Sequence, residues 1–517
     1  MASYIPSEGS RAVQRAKKQD EYMLYHKEAD INSDAPFVTY DPSAPCKPLV
    51  EAPDGRRRLD WSGKGLTSLP KIPTLFENAR VVNLQDNRLT NFPQELQNLV
   101  LMQTLRIDSN SINSVPGYIA SFSLLTDLRA ADNSISVLST CIGRCHHLTS
   151  CDLRNNRLES VPASFGQCTR LQRLWLTRNR LKGSMPDALG QMRSMVSLRV
   201  DHNRLTTLGF ELTYLTRLEQ LLIGNNELLE APRRMERCAA SIRELGLERN
   251  RLVALPPSLQ ALSRLERLRL HDNTLLRRPP PEVCQRGTAA VLSFLRRTHA
   301  AIESGELDLS QCQLSQVYLP TREPSDAPER YAWSLIHCLS LRSNAIMELP
   351  LEMDLLASLE VLDVRSNRLS ILPGTLGALT RLEVLDAASN LIQDLPDDMR
   401  GNVSLAELLL ENNNLFDVPA VVCEMKALRE LRLDGNQLAD LPGGLSVLTG
   451  LTLLTASRNL FPSVPAHALT GLVRLRTLRF GTNRINNVPL EMGKFKEAHE
   501  QADLDEDEQL DETGQPK

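Results

Sequence analysis

The chain has 517 residues and a formal net charge of only −4. A charge this small gives no general attraction to nucleic acid or to an acidic membrane surface, and no apolar run of about 18 residues predicts a membrane-spanning helix. The first residues also lack the apolar core of a signal peptide. We therefore expect a cytoplasmic chain with reduced cysteines that neither binds nucleic acid nor inserts into a membrane, while a nuclear, ciliary or cytoskeletal association stays open.

Residues 1–55 lack the pattern that governs the rest of the chain. A polar segment is followed by a proline-rich stretch, and this composition is typical of a flexible arm. The alternative is a partner-binding peptide around residues 22–25, which read Tyr-Met-Leu-Tyr.

From residue 56 onwards the chain repeats one short pattern, which residues 362–384 show most clearly. Leu362, Asp363 and Val364 alternate between apolar and polar, and this predicts a short strand whose apolar side chains point inward. Asn367 follows where the strand ends, and a buried Asn there can bond backbone groups that the turn leaves unpaired. A Leu-Pro pair and a return segment complete the turn. Since one turn cannot bury its leucines alone, successive turns must stack.

The asparagine marks the register of the copies, which follow each other mostly in steps of 23 or 24 residues. The stacked asparagines should form a ladder, and their regularity predicts about 18 turns. The asparagine position is filled by Asn87, Asn110, Asn133, Asn156, Asn179, Asn203, Asn226, Asn250 and Asn273, then by Asn344, Asn367, Asn390, Asn413, Asn436, Asn459 and Asn483, with Lys64 and Cys312 in two atypical copies.

The pattern is interrupted between residues 275 and 335. This stretch holds a segment whose apolar residues share one helical face, followed by the atypical Cys312 copy. The helical face comprises Val291, Leu292, Leu295, His299 and Ile302. We therefore predict five regions: a flexible arm (1–55), a first repeat arc (56–274), an irregular linker with a helix and one atypical repeat (275–335), a second arc (336–493) and an acidic disordered tail (494–517).

The repeat resembles the leucine-rich repeat, and its Leu-Pro turns are similar to those of the intracellular Ras-group proteins. The interruption RGTAAVLSFLRR, the restart LDLSQCQLSQVYLP and the opening LDWSGKGLTSLP resemble the leucine-rich-repeat-containing protein 40 family over about residues 56–493. The predicted fold class is α/β: a leucine-rich-repeat solenoid, or horseshoe, with a parallel sheet on its concave face and about 18 turns in two arcs. The resemblance implies a protein-binding solenoid with no catalytic residues to carry over. The long N-terminal arm departs from that family's pattern.

The concave face of the first arc holds the predicted partner-binding site. Its residues are Arg129, Arg154, Arg173, Trp175, Arg178 and Arg199. Because Leu174 and Leu176 take the inward positions, Trp175 must point outward, and an exposed Trp among arginines has the composition of a binding hot spot. The alternative is that Arg173 or Arg199 stacks on Trp175 and nothing binds. Interleaved aspartates argue against a nucleic-acid track.

Catalytic and metal sites are not predicted. Cys141, Cys145, His146 and His147 resemble a metal cluster, but the repeat register places Cys145 at a core leucine position. The sequence has no phosphate loop, no G-x-S-x-G elbow and no H-E-x-x-H motif. We therefore expect neither cofactor nor metal, no enzymatic activity and no small-molecule substrate.

The function that these observations favour is a non-enzymatic scaffold for partner proteins, with a role in intracellular signalling. One alternative is a regulatory subunit of a phosphatase or of a Ras-pathway complex. Another is a structural cytoskeletal or ciliary component anchored by the N-terminal arm.

Overall fold

The computed structural model describes residues 58–72, 77–209, 214–232, 235–238, 240–319, 331 and 333–486. The predicted N-terminal arm and acidic tail lie outside the described residues. Contacts divide the chain into two compact units, the first formed by Met1–Leu181 with Gln191–Ser197 and the second by Lys182–Gly190 with Leu198–Lys517. The predicted region boundaries at residues 274 and 336 stay predictions.

Most of the described turns begin with a three-residue strand whose middle side chain is buried. In the Leu362 turn the strand is Val361–Asp363, and Leu362 is 0% exposed. The residue before the asparagine position has a positive φ, as at Ser366 (56°), which reverses the chain sharply. A proline then precedes a short 3-10 helix, here Gly374–Ala378. Strands on one side and short helices on the other make the α/β solenoid that the repeat predicts, and this fold class is confirmed.

The first unit contains one parallel sheet and a smaller strand pair. The sheet strands pair in chain order, each with the strand of the next turn, and the short strands Ser114–Val115 and Val137–Leu138 pair with each other. The strands are β1 (Arg58–Asp60), β2 (Val81–Asn83), β3 (Thr104–Arg106), β4 (Ser114–Val115), β5 (Asp127–Arg129), β6 (Val137–Leu138), β7 (Ser150–Asp152) and β8 (Arg173–Trp175). Its 3-10 helices are Gln94–Asn98, Gly117–Ser121, Thr140–Arg144 and Ala163–Gln167.

In the second unit the strands at residues 220–222, 244–246 and 267–269 pair in parallel, and Lys182–Ser184 pairs with Arg204–Thr207. The strands from Glu306–Asp308 to Thr477–Arg479 form a separate parallel sheet in chain order. The strands are β9 (Lys182–Ser184), β10 (Ser197–Arg199, whose first residue belongs to the first unit), β11 (Arg204–Thr207), β12 (Gln220–Leu222), β13 (Glu244–Gly246), β14 (Arg267–Arg269), β15 (Glu306–Asp308), β16 (Cys338–Ser340), β17 (Val361–Asp363), β18 (Val384–Asp386), β19 (Glu407–Leu409), β20 (Glu430–Arg432), β21 (Leu453–Thr455) and β22 (Thr477–Arg479). The helices are α1 (Pro281–Gln285), α2 (Thr288–Ser304) and α3 (Ala466–Leu469), with 3-10 helices at Asp187–Gln191, Met235–Cys238, Pro257–Ala261, Leu351–Leu355, Gly374–Ala378, Asp397–Gly401, Ala420–Glu424 and Gly443–Val447.

The predicted asparagine ladder is confirmed. Asn390 is representative: its Nδ2 donates to the carbonyl of Ala387 in its own turn (3.0 Å) and to that of Val364 in the preceding turn (3.1 Å). Its Oδ1 accepts a hydrogen bond from the backbone N–H of Leu369 at 3.0 Å. Each such residue therefore satisfies backbone groups of two turns at once, and the leucine core is stacked in a fixed register.

The interruption between β14 and β15 contains the predicted helix, α2. Val291, Leu292 and Leu295 of its predicted apolar face are buried, whereas Ile302 is 44% exposed. The helix ends at Gly305, whose φ of 73° is left-handed.

An arginine of α2 takes over part of the missing asparagine's role in the Cys312 turn. Arg297 Nη1 donates to the carbonyls of Asp308 (3.2 Å) and Ser310 (3.1 Å). In ordinary turns the asparagine amide commonly donates to the carbonyl two residues before it, as Asn390 does to Ala388. In the Cys312 turn the corresponding carbonyl belongs to Ser310. The helix therefore completes the turn that follows it.

In many of the described turns the residue after the 3-10 helix is a second buried position, and a polar side chain there can bond the preceding turn. Cys145 Sγ and Cys168 Sγ donate there to the carbonyls of Ile119 (3.5 Å) and Ile142 (3.4 Å). Asn402 fills the same position, and its Nδ2 donates to the Leu376 carbonyl at 2.8 Å. Its Oδ1, however, is buried with no donor among the described residues, which is destabilising.

We expect the Asn402→Cys variant to raise the free energy of unfolding by about 1 kcal/mol, because the thiol keeps a donor for Leu376 and removes the unpaired oxygen. Chemical denaturation beside an Asn402→Leu variant, which lacks any donor, checks this. A lower stability for the cysteine variant than for the wild type would contradict it.

Candidate functional site

The candidate site lies on the open face of the first unit, which we define as the side of its sheet that points away from the leucine core. Strand register aligns Arg129 of β5 with Asp152 of β7, and Asp152 with Trp175 of β8. Leu174 and Leu176 are 0% exposed, while Trp175 is half-buried on the opposite side. The predicted outward direction of Trp175 is therefore confirmed.

Trp175 is contacted by an arginine that sequence reasoning did not select for this role. The Arg154 guanidinium lies over the Trp175 ring, 5.0 Å from the ring centroid, in cation–π geometry. Asp152 binds Arg154 through two contacts: Nη2 lies 2.7 Å from Oδ2, and Nε lies 2.9 Å from Oδ1. Such a two-point contact fixes the plane of the guanidinium, so the Trp175 ring rests on a rigid support.

The Arg154 guanidinium stays charged. Burial acts to lower the pKa of Arg154, but the hydrogen bond and charge of Asp152 outweigh it and raise that pKa above its usual value. Asp152 is only 4% exposed, so the pair is screened little by solvent. Removing either partner would leave an uncompensated charge in the sheet face.

Carboxylates interrupt the arginines along the same face. Arg129 Nε bonds Asp127 Oδ2 at 3.1 Å. Asp108 lies two residues after the end of β3 and accepts a hydrogen bond from the Ala131 N–H at 2.8 Å. Burial and the nearby negative charge of Asp152 raise the pKa of Asp108 to about 7. The face around Trp175 therefore carries carboxylates that pair with two of the predicted arginines, Arg129 and Arg154.

The other three predicted site residues differ in exposure and in the unit to which they belong. Arg173 of β8 is exposed beside Trp175, and Arg178 is exposed in the turn after β8, with a φ of 57°. Arg199 belongs to the second unit, where it is 7% exposed and its Nε donates to Gln220 Oε1 at 2.8 Å. The first unit thus brings Arg129, Arg154, Arg173, Trp175 and Arg178 onto or beside one sheet face.

Sequence reasoning missed Asp108 and the role of Arg154. Arg154 lies two residues after Asp152, and alternation puts both side chains on the same face. That spacing favours an ion pair on one face of an extended segment, and Arg129 with Asp127 repeats it in the neighbouring turn. The sequence pattern that could have predicted these ion pairs is therefore an aspartate followed two residues later by an arginine in consecutive turns.

The cysteines of the predicted core positions are buried. Cys145 and Cys151 are 0% and 1% exposed. Burial raises the pKa of the Cys145 thiol to about 12, so the thiolate that metal binding needs is disfavoured. In the part of the chain that the structure describes, no group of three or more His, Cys, Asp or Glu side chains is placed to hold a metal ion. The described helices include none with the length and apolar character to cross a membrane.

Comparison with known proteins gives the leucine-rich repeat as the matching family. The family model for this repeat matches residues 146–205 and 357–415. No curated protein sequence matches the chain significantly.

Solved structures similar to this chain include bacterial and plant proteins. A leucine-rich-repeat protein of Leptospira interrogans is 25% identical, with 86% of this chain and 94% of that one covered and a TM-score of 0.39. The ectodomain of the Arabidopsis thaliana receptor kinase GASSHO1/SCHENGEN3, solved in complex with Casparian strip integrity factor 2, is 24% identical, with 85% and 60% covered and a TM-score of 0.41. An internalin of Listeria monocytogenes is 17% identical, with 78% and 87% covered and a TM-score of 0.36.

Proposed function

We propose that this leucine-rich-repeat protein is a non-enzymatic scaffold that binds a partner protein on the open face of its first unit, with Trp175 as the anchor. The observation that carries the proposal is the rigid mounting of Trp175 on the Arg154 guanidinium, 5.0 Å from the ring centroid. A large aromatic side chain that is already held in place loses little entropy when a partner covers it. Such residues are enriched among binding hot spots.

Charge supports an acidic region on the partner. Arg129 and Arg154 are neutralised by Asp127 and Asp152 within the sheet. Arg173 is exposed beside Trp175, and Arg178 is exposed in the following turn. These two arginines would therefore attract carboxylates that flank the group covering Trp175, which favours specificity and fast association.

The proposal also names the related protein families and the cellular compartment. We place the chain near the leucine-rich-repeat-containing protein 40 and Ras-group families, with a role in intracellular signalling in the cytoplasm. The interrupted repeat layout supports the kinship. The nine cysteines of the described residues are free thiols, which supports a reducing compartment.

Affinity purification from the native cell tests the docking face. Tagged wild type, Trp175→Ala and Arg173→Glu are compared with Arg180→Glu, an exposed arginine of the same turn that lies outside the strand. We expect Trp175→Ala to reduce one bound protein at least tenfold, as loss of a hot spot does, and Arg173→Glu to reduce it less. Mass spectrometry measures the bound proteins, and melting curves check the fold.

Two results would contradict this proposal. One is an unchanged set of bound proteins in all variants. The other is an equal loss in the Arg180→Glu control, which would indicate a general charge effect instead of docking at Trp175.

A further inference from the structure

A second candidate site lies at the interruption in the second unit, and it does not depend on the open face of the first. A cavity of about 160 Å³ opens between helix α2 and the Cys312 turn. Its walls are largely apolar and include Phe294, Leu295, Ile302, Leu309, Leu314 and Trp333.

The size and lining of the cavity fit one apolar side chain. Apolar cavities of roughly 150 Å³ stay dry and accept a benzene-sized molecule. Ile302, which the sequence places on the apolar face of α2, is 44% exposed at this cavity. Tyr331 and Leu335, close to Trp333 in sequence, are 69% and 44% exposed. The apolar surface here is therefore incompletely covered by the described residues.

A shallower cleft of about 280 Å³ continues from the cavity. Arg277, Gln316, Val317 and Tyr318 line both spaces. Glu348 and Glu352 line the cleft but not the cavity. Among the described residues none forms an ion pair with Arg277, Glu348 or Glu352. The groove thus combines an apolar socket, a positive charge beside that socket and negative charges farther along.

We propose that this groove binds an extended segment of a partner protein. The segment carries a phenylalanine- or leucine-sized anchor for the cavity, an acidic residue beside the anchor for Arg277, and a basic residue a few positions farther on for Glu348 and Glu352. A free apolar compound would use the cavity alone, whereas the charges that line the cleft match a chain that crosses both spaces. Because Arg277 lines both spaces and the two glutamates line only the cleft, these charges would also favour one direction of the bound segment.

The interruption is a built feature of the fold, which supports a role for it. Arg297 of α2 donates to the Asp308 and Ser310 carbonyls of the Cys312 turn, and the Ser310 carbonyl is one that an asparagine contacts in ordinary turns. The helix is therefore anchored on the turn that forms the opposite wall of the cavity. A groove between anchored elements is preorganised for binding.

The first measurement asks whether the cavity accepts an apolar group. The probe is 4-fluorotoluene, followed by fluorine NMR on the full chain. Ala301, which is 2% exposed, lines the cavity, whereas its neighbour Ala300 is exposed. We expect line broadening with the wild type and Ala300→Phe, and its loss with Ala301→Phe. Thr298→Leu, a smaller filling change at a second lining position, keeps the test valid if Ala301→Phe fails to fold.

The second measurement asks whether the occupant is a peptide. Fluorescein-labelled decapeptides carry Phe or Leu as the anchor, Asp before it and Lys three or four residues after it. We expect fluorescence anisotropy to show binding that weakens at least tenfold when the anchor is Ala or when the protein is Ala301→Phe. Arg277→Glu should weaken the Asp peptides and favour peptides with Lys at that position.

The outcomes separate the occupants. Peptide binding that depends on the anchor and on Arg277 supports the proposal. Binding of 4-fluorotoluene without any peptide overturns it in favour of a site for small apolar compounds. Failure of both probes overturns the site itself, and neither result bears on Trp175.

Discussion

Replacing Asn390 by alanine is expected to lower the free energy of unfolding by about 2–3 kcal/mol, near the upper end of the cost of leaving buried polar groups unpaired. Asn390 is 5% exposed and contacts two turns through Val364, Ala387 and Leu369. Without the side chain, buried backbone donors and acceptors in both turns lose their partners, and water cannot replace them. Urea denaturation followed by circular dichroism measures the change.

Gln393→Ala is the matched control for this ladder variant. Gln393 lies in the same turn and also carries an amide, but its side chain is exposed. Its replacement should alter stability by no more than about 0.5 kcal/mol. Equal stability of Asn390→Ala and wild type would show that the ladder hydrogen bonds contribute little to folding.

The second large effect concerns Asp108, whose replacement by asparagine is expected to stabilise the first unit above neutral pH. Burial and the charge of Asp152 raise the pKa of Asp108 from 3.8 to about 7. The asparagine keeps an oxygen for the Ala131 N–H and has no charge to bury. A shift of about three pKa units corresponds to about 4 kcal/mol, and partial exposure of the side chain reduces the expected gain to about 2 kcal/mol at pH 8.

The pH dependence has a definite sign. Because the folded-state pKa of Asp108 lies above the unfolded value, the folded chain binds this proton more tightly. The stability that protonated Asp108 contributes is fully present below about pH 4 and is lost as the pH rises through about 7. The stability difference between Asp108→Asn and wild type should therefore grow in favour of the variant from pH 5 to pH 8. Thermal melts at several pH values test this, with exposed Asp86→Asn as the control; a constant difference would contradict the prediction.

The sequence by itself specified the repeating framework. Alternation around Leu362 predicted the strand, and the position of Asn390 predicted its hydrogen bonds to the neighbouring turns. The outward direction of Trp175 followed in the same way from Leu174 and Leu176. These features could be predicted because each depends on alternation within one strand or on a fixed step between turns, and both can be counted along the chain.

Only the tertiary structure decided how the side chains of neighbouring turns pair. Arg154 over Trp175, the raised pKa of Asp108 and the burial of Arg199 depend on rotamers and on the offset between stacked strands, which spacing does not specify. The contacts at the interruption between β14 and β15 could not be predicted from spacing either. The sequence predicted α2, but the contacts of Arg297 and the cavity beside Ile302 arise where a helix packs against a turn with no repeat register to predict the fit. Periodicity determined which residues face inward, while packing across turns determined which polar groups meet.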